Sequence, residues 1–379
     1  MFAKRSTAIA RLHAALADPA RRERSVVLAL AAYVAVWTAY GTIAKSSQGL
    51  HDDMIELLDW SQHLALGYKH PPFAAWLVRL WFSAFPIAGW SYYLLAALMP
   101  AIALWIAWRL SADYLDTEKR IFGVALLTLV PFYNFHALKF NVNTVLLPLW
   151  AATTWWFLRS YATRSALYAA LAGLGAACAM LGKYWSVFLI AGLVVAALVD
   201  RRRAAYFRSP APWITIAVGL VAIAPHLVWL VQNNFESFSY AVGVHSEKPV
   251  VETVRAAVEY LAGSAAYVAV PVIIALVAGR ANRAALADMI WPEDDDRRLA
   301  ALAFWTPLLL PVAAALASGT DITSLWSMSA WTLLPVVLLS PPALTISVTD
   351  TRRLLAFAVA FPLTMLAASP LILWWIASR

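Results

Sequence analysis

The chain has 379 residues, 62% of them hydrophobic and 13% charged, with a formal net charge of +8 and a mean hydropathy of +0.69. Soluble domains carry roughly 25% charge, so this composition excludes a soluble globular protein and indicates an integral membrane protein. The positive charge does not argue for nucleic acid. The basic residues cluster between apolar runs, as in loops at an anionic membrane face.

Residues 1–25 carry Lys4, Arg5, Arg11, Arg21, Arg22 and Arg24 and read as a cytoplasmic, partly helical tail. Residues 26–379 read as a single transmembrane domain. No cleavable signal peptide is expected, because polar and basic residues precede the first apolar run and no small-residue cleavage pattern follows it. That run, 26–44, approaches the ~20 residues needed to cross a bilayer. A first outside loop, 45–88, comes next. Further spans are predicted near 90–108, 121–135, 144–158, 166–182, 184–199, 212–231, 259–279, 301–317, 329–346 and 354–376, about eleven in all. The fold class is therefore all-α and polytopic. Cys178 is the single cysteine, so no intrachain disulfide forms.

Loop charge sets the expected orientation. With the N-terminus inside, the inside segments hold the six tail cations, Arg201-Arg202-Arg203, Arg297-Arg298, Arg352-Arg353 and eight further basic residues. The outside segments hold Lys45, Lys69, Arg79, Lys139, Lys183, Lys248 and Arg255, with Arg379 at the terminus. This bias of roughly three to one favours a cytoplasmic N-terminus. It also splits 166–199 into two short helices, because a single helix would move Arg201-Arg202-Arg203 outside. Lys183 then lies at an outer apex. The inside loop 280–300, with Glu293-Asp294-Asp295-Asp296, reads as a solvated hinge.

Residues 51–72 are out of place in so apolar a chain, with four carboxylates and three histidines. On a short helix, Asp52, Glu56, Asp59 and His63 form one stripe, while Met54, Leu57, Leu58, Ser61 and Leu64 fall opposite. The stretch is predicted to be an amphipathic helix at the membrane surface, ended by His70-Pro71-Pro72. A second interfacial helix is predicted over 73–86. Three other polar islands share the outside face: 136–143, 232–255 (with Asn233, Asn234, Glu236, His245, Glu247 and Lys248) and 318–328.

The predicted spans hold almost no ionisable residue apart from His226, which argues against an ion-coupled transporter. Work at the outer surface is the alternative. Carboxylates beside scattered Lys and His suit transfer from a phosphate-linked donor, the carboxylate deprotonating an acceptor hydroxyl and the cations stabilising a departing phosphate.

Asp53, Trp60-Ser61, Gly67-Tyr68, His70-Pro71-Pro72 and Trp76-Leu77 resemble the first outside loop of GT-C glycosyltransferases, in the branch similar to protein O-mannosyltransferases and lipid A aminoarabinose transferases. His51-Asp52-Asp53-Met54 with Tyr68-Lys69-His70-Pro71-Pro72 looks most like the rhizobial lipopolysaccharide galacturonosyltransferases. Phe140-Asn141-Val142-Asn143-Thr144, Leu181-Gly182-Lys183-Tyr184 and Pro225-His226 leading to Asn233-Asn234 fit the same family, over roughly 26–340.

The resemblance implies a GT-C fold. It also implies an inverting transfer of a sugar, galacturonic acid or another hexose, from a polyprenyl-phosphate donor to a lipid A, lipopolysaccharide core or other envelope lipid acceptor. The site would be on the periplasmic side of a bacterial inner membrane. Asp53 would be the general base, with Asp52 the alternative and Glu56 a further candidate. His70, Lys69, Lys183 and Lys139 would bind the donor phosphate, and Tyr68, Asn143 and Asn141 would contact substrate. No cofactor is required. The His/Asp/Glu mixture at 51–63 leaves a divalent metal open, although its spacing matches no ligand signature. The chain departs from the family pattern at Asn143, where Asp is frequent, and in ending soon after its last span. The second departure leaves open altered acceptor recognition or a reduced form that no longer catalyses. The rival reading is a non-catalytic lipid-handling protein, a flippase or a scaffold.

Overall fold

The computed structural model describes residues 7–243 and 249–378. Lys4, Arg5, His245, Glu247, Lys248 and Arg379 lie outside the described residues. Among the described residues the regular structure is entirely helical. In chain order the helices are α1 (Ala8–Ala17), α2 (Arg22–Ala44), α3 (Asp52–Ser61), α4 (Phe73–Ala84), α5 (Gly89–Ser111), α6 (Thr117–Leu127), α7 (Val142–Thr163), α8 (Ala166–Gly182), α9 (Val187–Val199), α10 (Arg203–Phe207), α11 (Ala211–Gln232), α12 (Glu236–Gly243), α13 (Val250–Ala278), α14 (Arg283–Ile290), α15 (Asp295–Ser318), α16 (Leu334–Leu339) and α17 (Val348–Ala377). Short 3-10 turns at Pro131–Tyr133 and Ala137–Lys139 join α6 to α7, and a longer one, Ser324–Leu333, leads into α16.

Six of these, α2, α5, α11, α13, α15 and α17, are long and apolar enough to cross a membrane. The bent pair Thr117–Leu127 and Pro131–Lys139 makes a seventh if taken as one span. Shorter apolar helices, α8 and α9 among them, complete the bundle. Of the eleven predicted runs, ten lie on a helix or a broken helix, while 329–346 is helical only as far as Leu339; six or seven of them meet the length and apolarity of a full span. The run 166–199 breaks at Lys183, where charge placed the apex.

Close backbone approach explains part of the packing. A Cβ on Gly173 of α8 would sit 2.3 Å from the Thr215 carbonyl oxygen of α11, so glycine alone lets these helices touch. The larger core joins α5, α6, α7, α9, α15 and α16. A second core, with Trp37, Met54, Leu57, Tyr92, Phe140 and Val145, lies under the first loop and positions the candidate site.

The loop 280–300 is a correction: it is folded rather than a solvated hinge. It contains α14, Arg297 pairs with Asp288, and Arg298 is only 2% exposed, bonded to Asp295 and to the Pro292 and Glu293 carbonyls. A guanidinium has five donors in a rigid fork and can be buried when carbonyls and a carboxylate surround it. The run of like charges hid this arrangement.

Candidate active site

Helix α3 forms where the acidic stretch was expected. His51 caps it, its Nδ1 accepting the Asp53 backbone N–H at 3.2 Å, and Asp52 and Asp53 fill the first turn, where negative charge suits the helix dipole. Met54, Leu57 and Ser61 face the core. The helix stops at Ser61, so His63 leaves the predicted stripe and Leu64 the opposite face, and both lie exposed in the following loop. Asp52 and Asp59 are exposed; Asp53 is half-exposed and turned toward Asn141.

What Asp53 meets is set one residue away on each side. Met54 and Phe140 are buried in the same core. Tyr92 binds both: its hydroxyl donates to the Met54 carbonyl at 2.8 Å, and its ring packs edge-on against Phe140, centroids 5.6 Å apart. Phe140 sits at φ 32°, a turn that L-residues rarely adopt. That turn starts α7 with Asn141 as its cap. The Asn141 side-chain oxygen accepts the N–H groups of Asn143 and Thr144 at 3.0 and 3.3 Å. With its oxygen so occupied, its nitrogen must point the other way, and it donates to Asp53 Oδ2 at 2.9 Å. No hydrogen bond to Asp53 Oδ1 is made among the described residues.

The first turn of α7 also places Asn143, 8% exposed. Its side-chain oxygen accepts from Lys183 Nζ at 3.0 Å. Lys183 stands at the α8–α9 break, braced by Trp150 Nε1 donating to Ser186 Oγ and by Ser186 donating to the Ala179 carbonyl. The ammonium lies 4.5 Å above the Trp326 ring. Burial pushes its pKa down to about 7, against the opposing pull of the Asp53 carboxylate. A lysine so placed is poised between neutral and charged and gains charge when an anion joins it.

The third group lies on the loop between α3 and α4. Lys69 Nζ donates to Glu56 Oε1 at 3.0 Å and lies 4.9 Å from the Tyr240 ring centre. The bond to Glu56 raises its pKa. His70 packs edge-on between Trp60 and Tyr240, centroids 5.7 Å from each. Tyr68 stacks on Trp60, and its hydroxyl donates to the His63 carbonyl and accepts the Ala65 N–H. Lys139 is exposed at the end of its 3-10 turn. Burial lowers the pKa of the neighbouring His136 imidazole, and the Lys139 charge adds to it.

The loop is held from several sides. Arg79 of α4 donates to the Ser61 and Gln62 carbonyls at 2.9 and 3.1 Å, closing the C-terminus of α3. Trp76 Nε1 donates to the Ala65 carbonyl at 2.8 Å. His226 of α11 is 2.6 Å from the Leu66 carbonyl through Nδ1 and 2.8 Å from the Tyr184 hydroxyl through Nε2. A carbonyl can only accept, so Nδ1 carries the proton and Tyr184 donates to Nε2. His226 is therefore a packed, bonded histidine, as its apolar setting suggests. Gly67 lies against Trp229, and a Cβ there would be 2.1 Å from the indole.

The structure thus joins Asp53 to Asn141, Asn143 to Lys183 and Glu56 to Lys69, while Asp52 and Lys139 remain at the exposed margin. Among the described residues no group of three or more His, Cys, Asp and Glu side chains is placed to hold a metal ion. Trp326 and Tyr240, the ring partners of the two lysines, were missed from sequence. Both lie in the outside polar islands, but nothing in their spacing ties them to Lys183 or Lys69.

Residues 69–229, which include His70, Asn141, Asn143 and Lys183, match the model of the dolichyl-phosphate-mannose-protein mannosyltransferase family. The described bundle aligns with ArnT from Cupriavidus metallidurans bound to undecaprenyl phosphate, with a TM-score of 0.60 at 15% identity over 91% of this chain and 65% of that one. The fold is GT-C. The apo form of ArnT aligns with a TM-score of 0.56 at 14% identity, over 83% of this chain and 59% of that chain. In sequence, this chain is similar to the lipopolysaccharide core galacturonosyltransferase RgtB of Rhizobium johnstonii, 31% identical over 220 residues, 56% of this chain and 44% of the relative. The chain therefore spans less than half the length of that relative and about two thirds of ArnT.

Proposed function

We propose that this protein is an inverting glycosyltransferase. It would move a sugar, galacturonic acid or another hexose, from a polyprenyl-phosphate donor to lipid A, the lipopolysaccharide core or another envelope lipid. The placement would be that of a multi-pass bacterial inner-membrane protein with its N-terminus in the cytoplasm and its site in the periplasm, as the loop charges favour.

The observation that carries the reading is the Asp53 carboxylate held toward α7. Asn141 fixes one of its oxygens at 2.9 Å, and the buried amine of Lys183 lies within its electrostatic reach. In the proposed reaction Asp53 Oδ1 takes the proton of the acceptor hydroxyl. The acceptor oxygen forms a bond to the anomeric carbon, and the bond from that carbon to the phosphate oxygen breaks with its electron pair. The donor is a phosphodiester with one negative charge; the departing prenyl phosphate carries two. Cations that meet the second charge lower the barrier. Lys183 is best placed for this, with Lys69 and His70 on the loop opposite and Lys139 at the margin. Asn141 acts by holding the carboxylate, Asn143 by holding the ammonium, and Glu56 by holding Lys69. RgtB supports a lipopolysaccharide acceptor through its name, and ArnT supports a polyprenyl-phosphate ligand through its bound undecaprenyl phosphate.

The test is reconstitution. The purified protein in lipid nanodiscs is supplied with a prenyl-phosphate-linked uronic acid and rough lipopolysaccharide, and products are read by mass spectrometry. Stoichiometric sugar addition and prenyl-phosphate release are expected. Neither product appearing with any prenyl-phosphate hexose or hexuronate would leave a non-catalytic protein.

A further inference from the structure

One cavity in the described protein lies away from Asp53. It is an apolar cleft of about 610 Å³ between α1, α2, α6 and α17, within the range of ligand pockets. Leu16, Leu28, Tyr33, Ile121, Leu355 and Leu363 are among its walls, and Trp108 lies at its base. Helix α2 has 23 residues and rises about 34 Å, the whole thickness of a bilayer core. The cleft opens along its first half, from Ser25 to Val36, about 16 Å of rise. That matches one leaflet of a ~30 Å hydrocarbon core. It is the leaflet opposite the first loop.

The rim of the cleft is basic. Arg24 stands one turn before Leu28 on α2, Arg352 stands three residues before Leu355 on α17, and Arg11 stands four residues before Ala15 on α1; all three followers line the cleft. The three arginines are exposed, and their side chains make no ion pair among the described residues. The nearby acids are already engaged: Glu23 accepts from Trp108 Nε1 at 3.2 Å, Asp18 pairs with Arg21, Glu118 with His13 and Asp350 with Arg353. An apolar slot one leaflet deep under three uncompensated guanidinium groups matches a lipid with an anionic head and an acyl tail.

We propose that this cleft is a binding site for an anionic membrane phospholipid. One acyl chain lies along α2, and the head-group phosphate is held by Arg11, Arg24 and Arg352. The proposal rests on the placement of the cleft and its rim, and is independent of the transferase reading.

The test uses the full chain purified in detergent and titrated with phosphatidylglycerol, phosphatidylcholine or undecaprenyl phosphate by native mass spectrometry. A diazirine on the phosphatidylglycerol acyl chain maps its position. One tightly held phosphatidylglycerol is expected, in preference to both other lipids, with labelling within 25–36 or 355–363. Arg24→Gln with Arg352→Gln lowers its affinity about 25-fold, about fivefold for each arginine. Ala32→Trp, which fills the cleft from an exposed position, displaces phosphatidylglycerol and phosphatidylcholine alike. Equal binding of the two phospholipids, labelling confined to other helices, or a double glutamine variant that keeps its preference overturns the proposal. Preference for undecaprenyl phosphate would make the cleft a carrier site and also overturns it. The glutamine variants change only exposed side chains, so they test the proposal even if Ala32→Trp fails to fold.

Discussion

Replacing Lys183 with Met keeps an unbranched apolar stem beside Trp326 and removes only the ammonium. In the wild type that ammonium titrates near 7 because burial opposes its charge. A donor phosphodiester does not itself titrate near neutrality, so the pH dependence of donor binding reports on the protein. Below pH 7 Lys183 is charged and ready; above it, the free protein holds neutral lysine and must take up a proton on binding. Apparent donor affinity is therefore level below about pH 6.5 and falls tenfold per pH unit above about 7, until the raised pKa of the complex is reached. A hydrogen bond between charged groups contributes about 1.5–3 kcal/mol, so Lys183→Met weakens donor binding about 10- to 150-fold at pH 6.5 and abolishes the slope. The assay is equilibrium binding of a short-chain prenyl-phosphate sugar to the nanodisc-embedded protein from pH 5.5 to 9. A slope that persists in Lys183→Met would show that another group titrates and would refute the argument.

Other substitutions separate positioning from chemistry. Asn141→Asp sets a second carboxylate about where an amide now donates to Asp53 at 2.9 Å. Two carboxylates so close share a proton, and the rate–pH profile for sugar transfer should move upward while protein level holds. Gly67→Ala drives a methyl into Trp229; overpacking of this kind costs about 1–3 kcal/mol, and limited proteolysis should cut at 62–70 sooner than in the wild type. Lys69→Ala breaks an ion pair whose partners are about 40% exposed. Such pairs contribute about 0–1 kcal/mol to stability, so melting should be nearly unchanged while the KM for donor rises.

The fold was readable because spans need long apolar runs. Even the break at Lys183 followed from keeping Arg201-Arg202-Arg203 on one side. The acidic helix was readable for the same reason, since carboxylates are conspicuous in an apolar chain. Which aspartate meets Asn141 was not. That depends on Tyr92 tying Met54 to Phe140, a contact across 38 residues in one direction and 48 in the other that no local period encodes. Nor could sequence show that Asn141 spends its oxygen on capping α7 and so aims its amide at Asp53. The burial of Arg298 was hidden because a run of four acids followed by two arginines looks solvated until the backbone carbonyls around it are known.

The most direct test of the proposed base compares Asp53→Asn with Asp52→Asn. Lipid A and core from cells expressing each variant are weighed by mass spectrometry at matched protein level. Asp53→Asn should remove the added sugar mass, and Asp52→Asn, whose side chain faces solvent, should retain it within a few-fold. Full transfer by Asp53→Asn, or its loss in Asp52→Asn alone, would contradict the assignment of Asp53 as the base.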